Sequence, residues 1–185
     1  MRGISLELCV WDLGFPRSGR SPVNRLLHIG EMCGCLASCR GRAFRDTPAM
    51  VKITGEYQGD LHCQATHGPS GRTLETDAPV DNHGRGETFS PTDLVATALG
   101  TCMLTIMGMA ARRLGLDLKG ARFEVTKEMS TDIPRRISRL ATHVWLPVPH
   151  SADRDDVLER AAHTCPVHKS LNPSIETPVV LHWKK

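Results

Sequence analysis

At 185 residues the chain suits one domain, or one domain with an appendage. Its net charge of +3, with no Lys/Arg run interleaved with aromatics, argues against a nucleic-acid partner. Aromatic residues make up only 4%, so the core must be built from Leu, Val, Ile, Met and Ala.

The seven cysteines do not read as a disulfide framework. Their number is odd, and Cys9, Cys33, Cys35 and Cys39 crowd into the first quarter of the chain. The start shows no basic region followed by a continuous apolar run, so a cytoplasmic, reducing setting is expected. In such a setting a functional cysteine is redox-active or metal-binding more often than structural.

Composition breaks near Met50. Residues 1–49 hold seven arginines and no lysine, without sustained periodicity. Three readings of this stretch stand: an Arg-rich transit peptide, weakened by Glu7, Asp12, Glu31 and Asp46; a metal site at Cys33, Cys35 and Cys39; or sequence upstream of a natural start at Met50. The last is favoured, with a disordered N-terminal extension as its physical consequence and a single domain over 50–185.

In chain order, Val51 to Gln58 and Leu61 to Thr66 read as strands around the hairpin turn Gly59-Asp60, and Arg72 to Thr76 as a third strand. Asp77 to Phe89 is a loop rich in Gly, Asp, Asn and Pro. Ser90 is a good N-cap, Pro91 suits the first helical position, and Asp93 completes a capping-box arrangement. Leu94 to Ala111 then runs without a charged residue, with apolar positions at helical spacing, so this helix is expected to be buried on all sides. Its length is at the lower limit for a membrane span, and Thr97, Thr101 and Thr105 dilute its hydrophobicity; a soluble core helix without membrane contact is expected. Arg112, Arg113 and Gly115 mark its end.

Two further strands are expected at Ala121 to Met129 and Ile137 to Leu146, around the turn Asp132-Ile133-Pro134. Ser151 to His163 reads as an amphipathic helix, Cys165-Pro166 opens a short third one, and Thr177 to Trp183 closes with a strand. Hairpin-paired strands with segregated helices give an α+β fold.

Among the three body cysteines, Cys63 lies on a strand and reads as a small core hydrophobe. Cys165, at the cap of a helix opened by Pro166, is placed where N–H groups and the dipole favour a thiolate, and His163 and His168 are expected to add positive charge. A metal site there would lack a fourth ligand, so no metal is expected. Cys102, three turns into the apolar helix, should be inert on burial alone.

Two segments, Ser90-Pro91-Thr92-Asp93-Leu94 leading to Gly100-Thr101-Cys102, and Cys165-Pro166-Val167-His168-Lys169-Ser170-Leu171, resemble the OsmC/Ohr family of hydroperoxide-reducing proteins over about residues 51–185. The resemblance implies antiparallel sheets wrapped around a long buried central helix in an intertwined homodimer, with Gly100 and Gly108 easing close helix approach. It implies that Cys102 attacks the peroxide O–O bond to give a sulfenic acid, and that Cys165 closes a Cys102–Cys165 disulfide. An external thiol then resets the site, a lipoamide-type reductant being one candidate, and no bound cofactor is implied. Ohr-type members carry an arginine in the first hairpin and a glutamate near the helix start. Here those places hold Gly59-Asp60 and Thr92. Arg85, oriented by Glu87, is the expected substitute for activating the thiolate or binding substrate, and Arg72 a weaker one. The alternatives on the same scaffold are another thiol-exchange reaction, or a non-enzymatic ligand-binding dimer.

Overall fold

The computed structural model describes residues 50–185, and the expectations for 1–49 lie outside the described residues. Among the described residues, six strands and three α-helices form two small sheets and a helical layer. Strands β1 (Ile53–Gly59), β2 (His62–His67) and β3 (Thr73–Asp77) make one antiparallel sheet in the order β1-β2-β3. Strands β4 (Arg122–Met129), β5 (Ile137–Trp145) and β6 (Val179–His182) make the second, in the order β4-β5-β6.

Helix α1 (Pro91–Arg113) begins where Ser90 predicts. The Ser90 hydroxyl accepts from the Asp93 N–H, and the Asp93 carboxylate accepts from the Ser90 N–H, so both halves of the capping box are present. It ends in a Schellman motif. Leu116 N–H donates to the Ala111 carbonyl, Gly115 N–H donates to that of Arg112, and Gly115 has a φ of 71° that favours glycine.

One face of α1 carries Ala96, Leu99, Met103, Met107 and Ala111, all buried, against the second sheet. The expectation of burial on all sides does not hold within one chain. Thr101, Thr105 and Met109 lie on the opposite face and are exposed. The helix is long and apolar enough to cross a membrane by length and composition, with a mean hydropathy of 1.8. A helix that packs one face into a protein core passes the same test, and α1 does so. Gly100 has a different use from the one expected: a Cβ there would collide with the Phe123 ring, so the glycine admits β4 rather than a second helix. Around Gly108 the space is open.

Two stretches depart from the sequence expectation. The helix foreseen at Ser151 to His163 forms only as α2 (Val157–His163), preceded by two 3-10 turns. Asp155 and Asp156 adopt left-handed backbone, and the buried Asp153 carboxylate accepts from the Leu158 and Glu159 N–H groups. Asp153 therefore caps α2 from outside instead of extending it. The closing strand also pairs differently: β6 runs parallel to β5, because the chain crosses over through α2 and α3 (Pro166–Ser170) before returning.

Candidate functional site

Cys102 and Cys165 come together on the flank of α1. Both belong to one apolar cluster, with Leu99, Met103, Leu140, Val125, Val167, Leu171 and Ile175 around them. Cys102 stands where the buried face of α1 meets its uncovered face and is half-buried. Cys165 is fully buried. Both are free thiols, as is Cys63 on β2.

The chain places Cys165 by local rules. Pro166 begins α3, leaving Cys165 extended at the N-cap, and the His168 N–H donates to its Sγ at 3.4 Å. That cap was expected to make Cys165 a thiolate. The structure reverses this, pushing its pKa up to about 11. Burial is the main cause, opposed by the His168 N–H and reinforced by the Cys102 side chain beside it. A five-residue helix offers too little field to offset the loss of water.

His168 was also expected to bring positive charge. Instead burial, followed by the neighbouring charges of His163 and Lys169, lowers its pKa, so it is neutral near pH 7. Its Nε2 lies 2.9 Å from the Thr177 hydroxyl, and its ring meets that of His163 edge-on at 5.9 Å. Among the described residues no group of three or more His, Cys, Asp and Glu has a metal-holding arrangement.

The candidate activators are not brought to the cysteines within the chain. Arg85 is largely exposed and donates to the Asp60 carboxylate at 2.8 Å, tying the loop before α1 to the first hairpin turn. Glu87 does not orient it. The Glu87 N–H donates to the buried Asp77 carboxylate, and its side chain lines a cleft of about 710 Å³. That cleft runs between the loop, the first turns of α1 and β4, with Phe89, Thr97, Phe123 and Lys127 on its walls. Neither cysteine lines it, so the cleft and the thiols are separate features. Arg72 is exposed just before β3.

Lys127 was not foreseen. It occupies an inward position in the alternation Phe123, Val125, Lys127, and a lysine there is the signal of a buried polar partner. Its Nζ lies 2.6 Å from Asp93 and donates to Thr92 at 2.8 Å, clamping β4 to the first turn of α1. Burial would raise the Asp93 pKa, but the bonds from Lys127 and Ser90 outweigh it and hold the carboxyl below its usual range.

A mixed α/β unit with a long apolar helix, two three-stranded sheets and a cysteine pair on the helix flank defines the class. The chain belongs to the family of OsmC-like proteins, whose profile matches residues 84–179. A solved structure from Psychrobacter arcticus, described as an osmotic-stress-induced and detoxification-response protein, is 43% identical, with a TM-score of 0.67. The match covers 72% of this chain and 97% of that one. An organic hydroperoxide resistance protein from Elizabethkingia anophelis shares the fold at a TM-score of 0.62, with 13% identity over 75% of this chain and 99% of its own. An OsmC-like protein from Mycoplasma pneumoniae does so at 0.61, with 16% identity over 75% and 99%. No curated protein matches the chain.

Proposed function

We propose that the protein is a thiol peroxidase that reduces organic hydroperoxides, with hydrogen peroxide as an alternative substrate. The carrying observation is the pairing of a half-buried thiol, Cys102, with a fully buried one, Cys165, in one apolar cluster. Membership of a family that includes organic hydroperoxide resistance proteins supports the choice of reaction.

The asymmetry of the pair supports a division of roles. Cys165, with its pKa near 11, stays a thiol at neutral pH and makes a poor first nucleophile. Cys102, nearer solvent, attacks the terminal peroxide oxygen as a thiolate. The O–O bond breaks, the alkoxide takes a proton and leaves as the alcohol, and Cys102 becomes a sulfenic acid. The Cys165 sulfur then attacks that sulfur. The S–S bond forms as the S–O bond breaks, and the hydroxyl leaves as water with the Cys165 proton. An external dithiol reduces the disulfide, which suits a reducing cytoplasmic setting.

The working unit in this reading is a homodimer. In register across the first sheet, Ile53, Tyr57, Cys63, Ala65 and Leu74 share one face, and Ile53 and Tyr57 are 66% and 62% exposed. The uncovered face of α1 adds Met109, and Phe89 lies exposed just before the helix. Apolar surface of this extent on both sheet and helix calls for a partner, and a second copy supplies matching surfaces. In this reading Arg85 and Glu87, which contact the first sheet and not the cysteines of their own chain, are candidates to act at the partner's cysteine pair.

Steady-state consumption of cumene hydroperoxide with dihydrolipoamide as reductant tests the reading. Turnover in the wild type and none in Cys102→Ser is expected. Equal consumption by both proteins would overturn it.

A further inference from the structure

His168 lies one turn beyond Cys165 and is left unused by the reaction as drawn. Its backbone N–H holds the Cys165 sulfur, and its ring reaches out of α3 to the Thr177 hydroxyl, just ahead of β6. Ile175 and Val179, on either side of Thr177, pack in the cluster that encloses Cys165. The neighbouring Glu176 is fixed to β5 through backbone bonds with Ser138 and Leu140. The segment that receives the His168 ring is thus anchored to the second sheet. Helix α3 is five residues long, too short to hold its place by its own hydrogen bonds. The remaining ring nitrogen, Nδ1, is buried, and the His163 backbone that the ring also meets does not reach it in good hydrogen-bond geometry.

We infer that the His168 ring is a positioning residue for the resolving step, a latch to Thr177 that holds α3 so that the Cys165 sulfur faces Cys102. The inference rests on the assignment of Cys165 as resolving cysteine. The latch acts on the formation of the disulfide and not on the attack of Cys102 on peroxide. The buried site favours the neutral ring. The charged or titratable groups that face it are His163 from α2 and Lys169 from α3, and on the β6 side it meets the uncharged Thr177. Because the His168 pKa is lowered on folding, protonation below about pH 6.5 favours states in which the ring has left its site.

The test separates the two thiol steps in the full-length protein. Sulfenic acid at Cys102 is trapped with dimedone after one equivalent of cumene hydroperoxide, and disulfide closure is timed separately by loss of free thiols. In His168→Ala closure is expected to slow by about tenfold to a hundredfold relative to the first step, the range of a misplaced reacting group. Thr177→Val should shift it the same way by less, and His168→Gln, which can still bond Thr177, should restore part of it. Closure slows with falling pH in wild type and His168→Gln alike as the Cys165 thiolate is lost, and below pH 6.5 the wild type should lose further rate relative to His168→Gln. Diamide, which oxidises the dithiol without a sulfenic intermediate, gives an independent arm: slowed closure in His168→Ala is expected there too. If wild type forms no sulfenic acid with peroxide but the diamide difference persists, the peroxidase reading fails and the latch stands. If closure by either oxidant is as fast in His168→Ala as in wild type, or if His168→Gln is as slow as Ala at every pH, the latch is wrong.

Discussion

The surroundings of the two cysteines differ in kind, and the difference sets what each thiol can do. Cys102 sits on a long helix that is fixed at both ends, by a capping box and Lys127 at the start and a Schellman motif at the end. Its sulfur lies at the border of packed and open surface. Cys165 sits at the cap of a five-residue helix, sealed in the core by side chains from β5, α3 and the approach to β6. A rigid, accessible position suits a nucleophile. A buried position on a short element, held by a few side-chain bonds, suits a group that must wait as a thiol and then move.

The largest effect that would break this contrast is on turnover. Cys102→Ser should abolish peroxide consumption, whereas Cys165→Ser should leave the first oxidation intact and let Cys102 pass on to sulfinic acid. Mass spectrometry of the peptide containing position 102 distinguishes the two. The next effect is on stability. Cys165→Ser places a hydroxyl in an apolar site and should cost about 1–3 kcal/mol in chemical denaturation, against less than about 1 kcal/mol for Cys102→Ser at the rim.

Alkaline pH sharpens the contrast further. Cys165 titrates near 9 when unfolded and near 11 when folded, so the unfolded chain loses its proton first. Its stabilising contribution is fully present below pH 9 and falls as pH rises from 9 to 11. Urea midpoints across that range should decline more in wild type than in Cys165→Ala. A further, small effect concerns the helix that carries Cys102. Ser90→Ala removes the cap and should cost about 1 kcal/mol by the same denaturation measurement, without altering the alkaline decline.

Local chemistry made much of the fold legible. Ser90, Pro91 and Asp93 announced the start of α1, Gly115 its end, and Cys165-Pro166 the opening of α3, because caps are written within four residues of one another. Long-range features were not legible. The seal over Cys165 comes from Leu140, Ile175 and Val179, which no local pattern assigns to it, so its dipole was visible and its burial was not. The parallel pairing of β6 depends on where the crossover helices settle. Asp153, Asp155 and Asp156 fall inside the helix expected over Ser151 to His163, yet one caps α2 and two take left-handed turns. Gly100 carries no mark that Phe123 fills its place. For the site, the cysteine pair came from the two-motif resemblance, whereas the partners of Arg85 and Lys127 came only from three-dimensional contacts.

The most direct measurement is peptide mapping of the reduced protein after one equivalent of cumene hydroperoxide, with free thiols alkylated. The account predicts a single new cross-linked species joining the peptides of Cys102 and Cys165, reversed by a dithiol, with Cys63 still alkylated. Recovery of Cys102 and Cys165 as alkylated thiols, or a disulfide to Cys63 in their place, would contradict it.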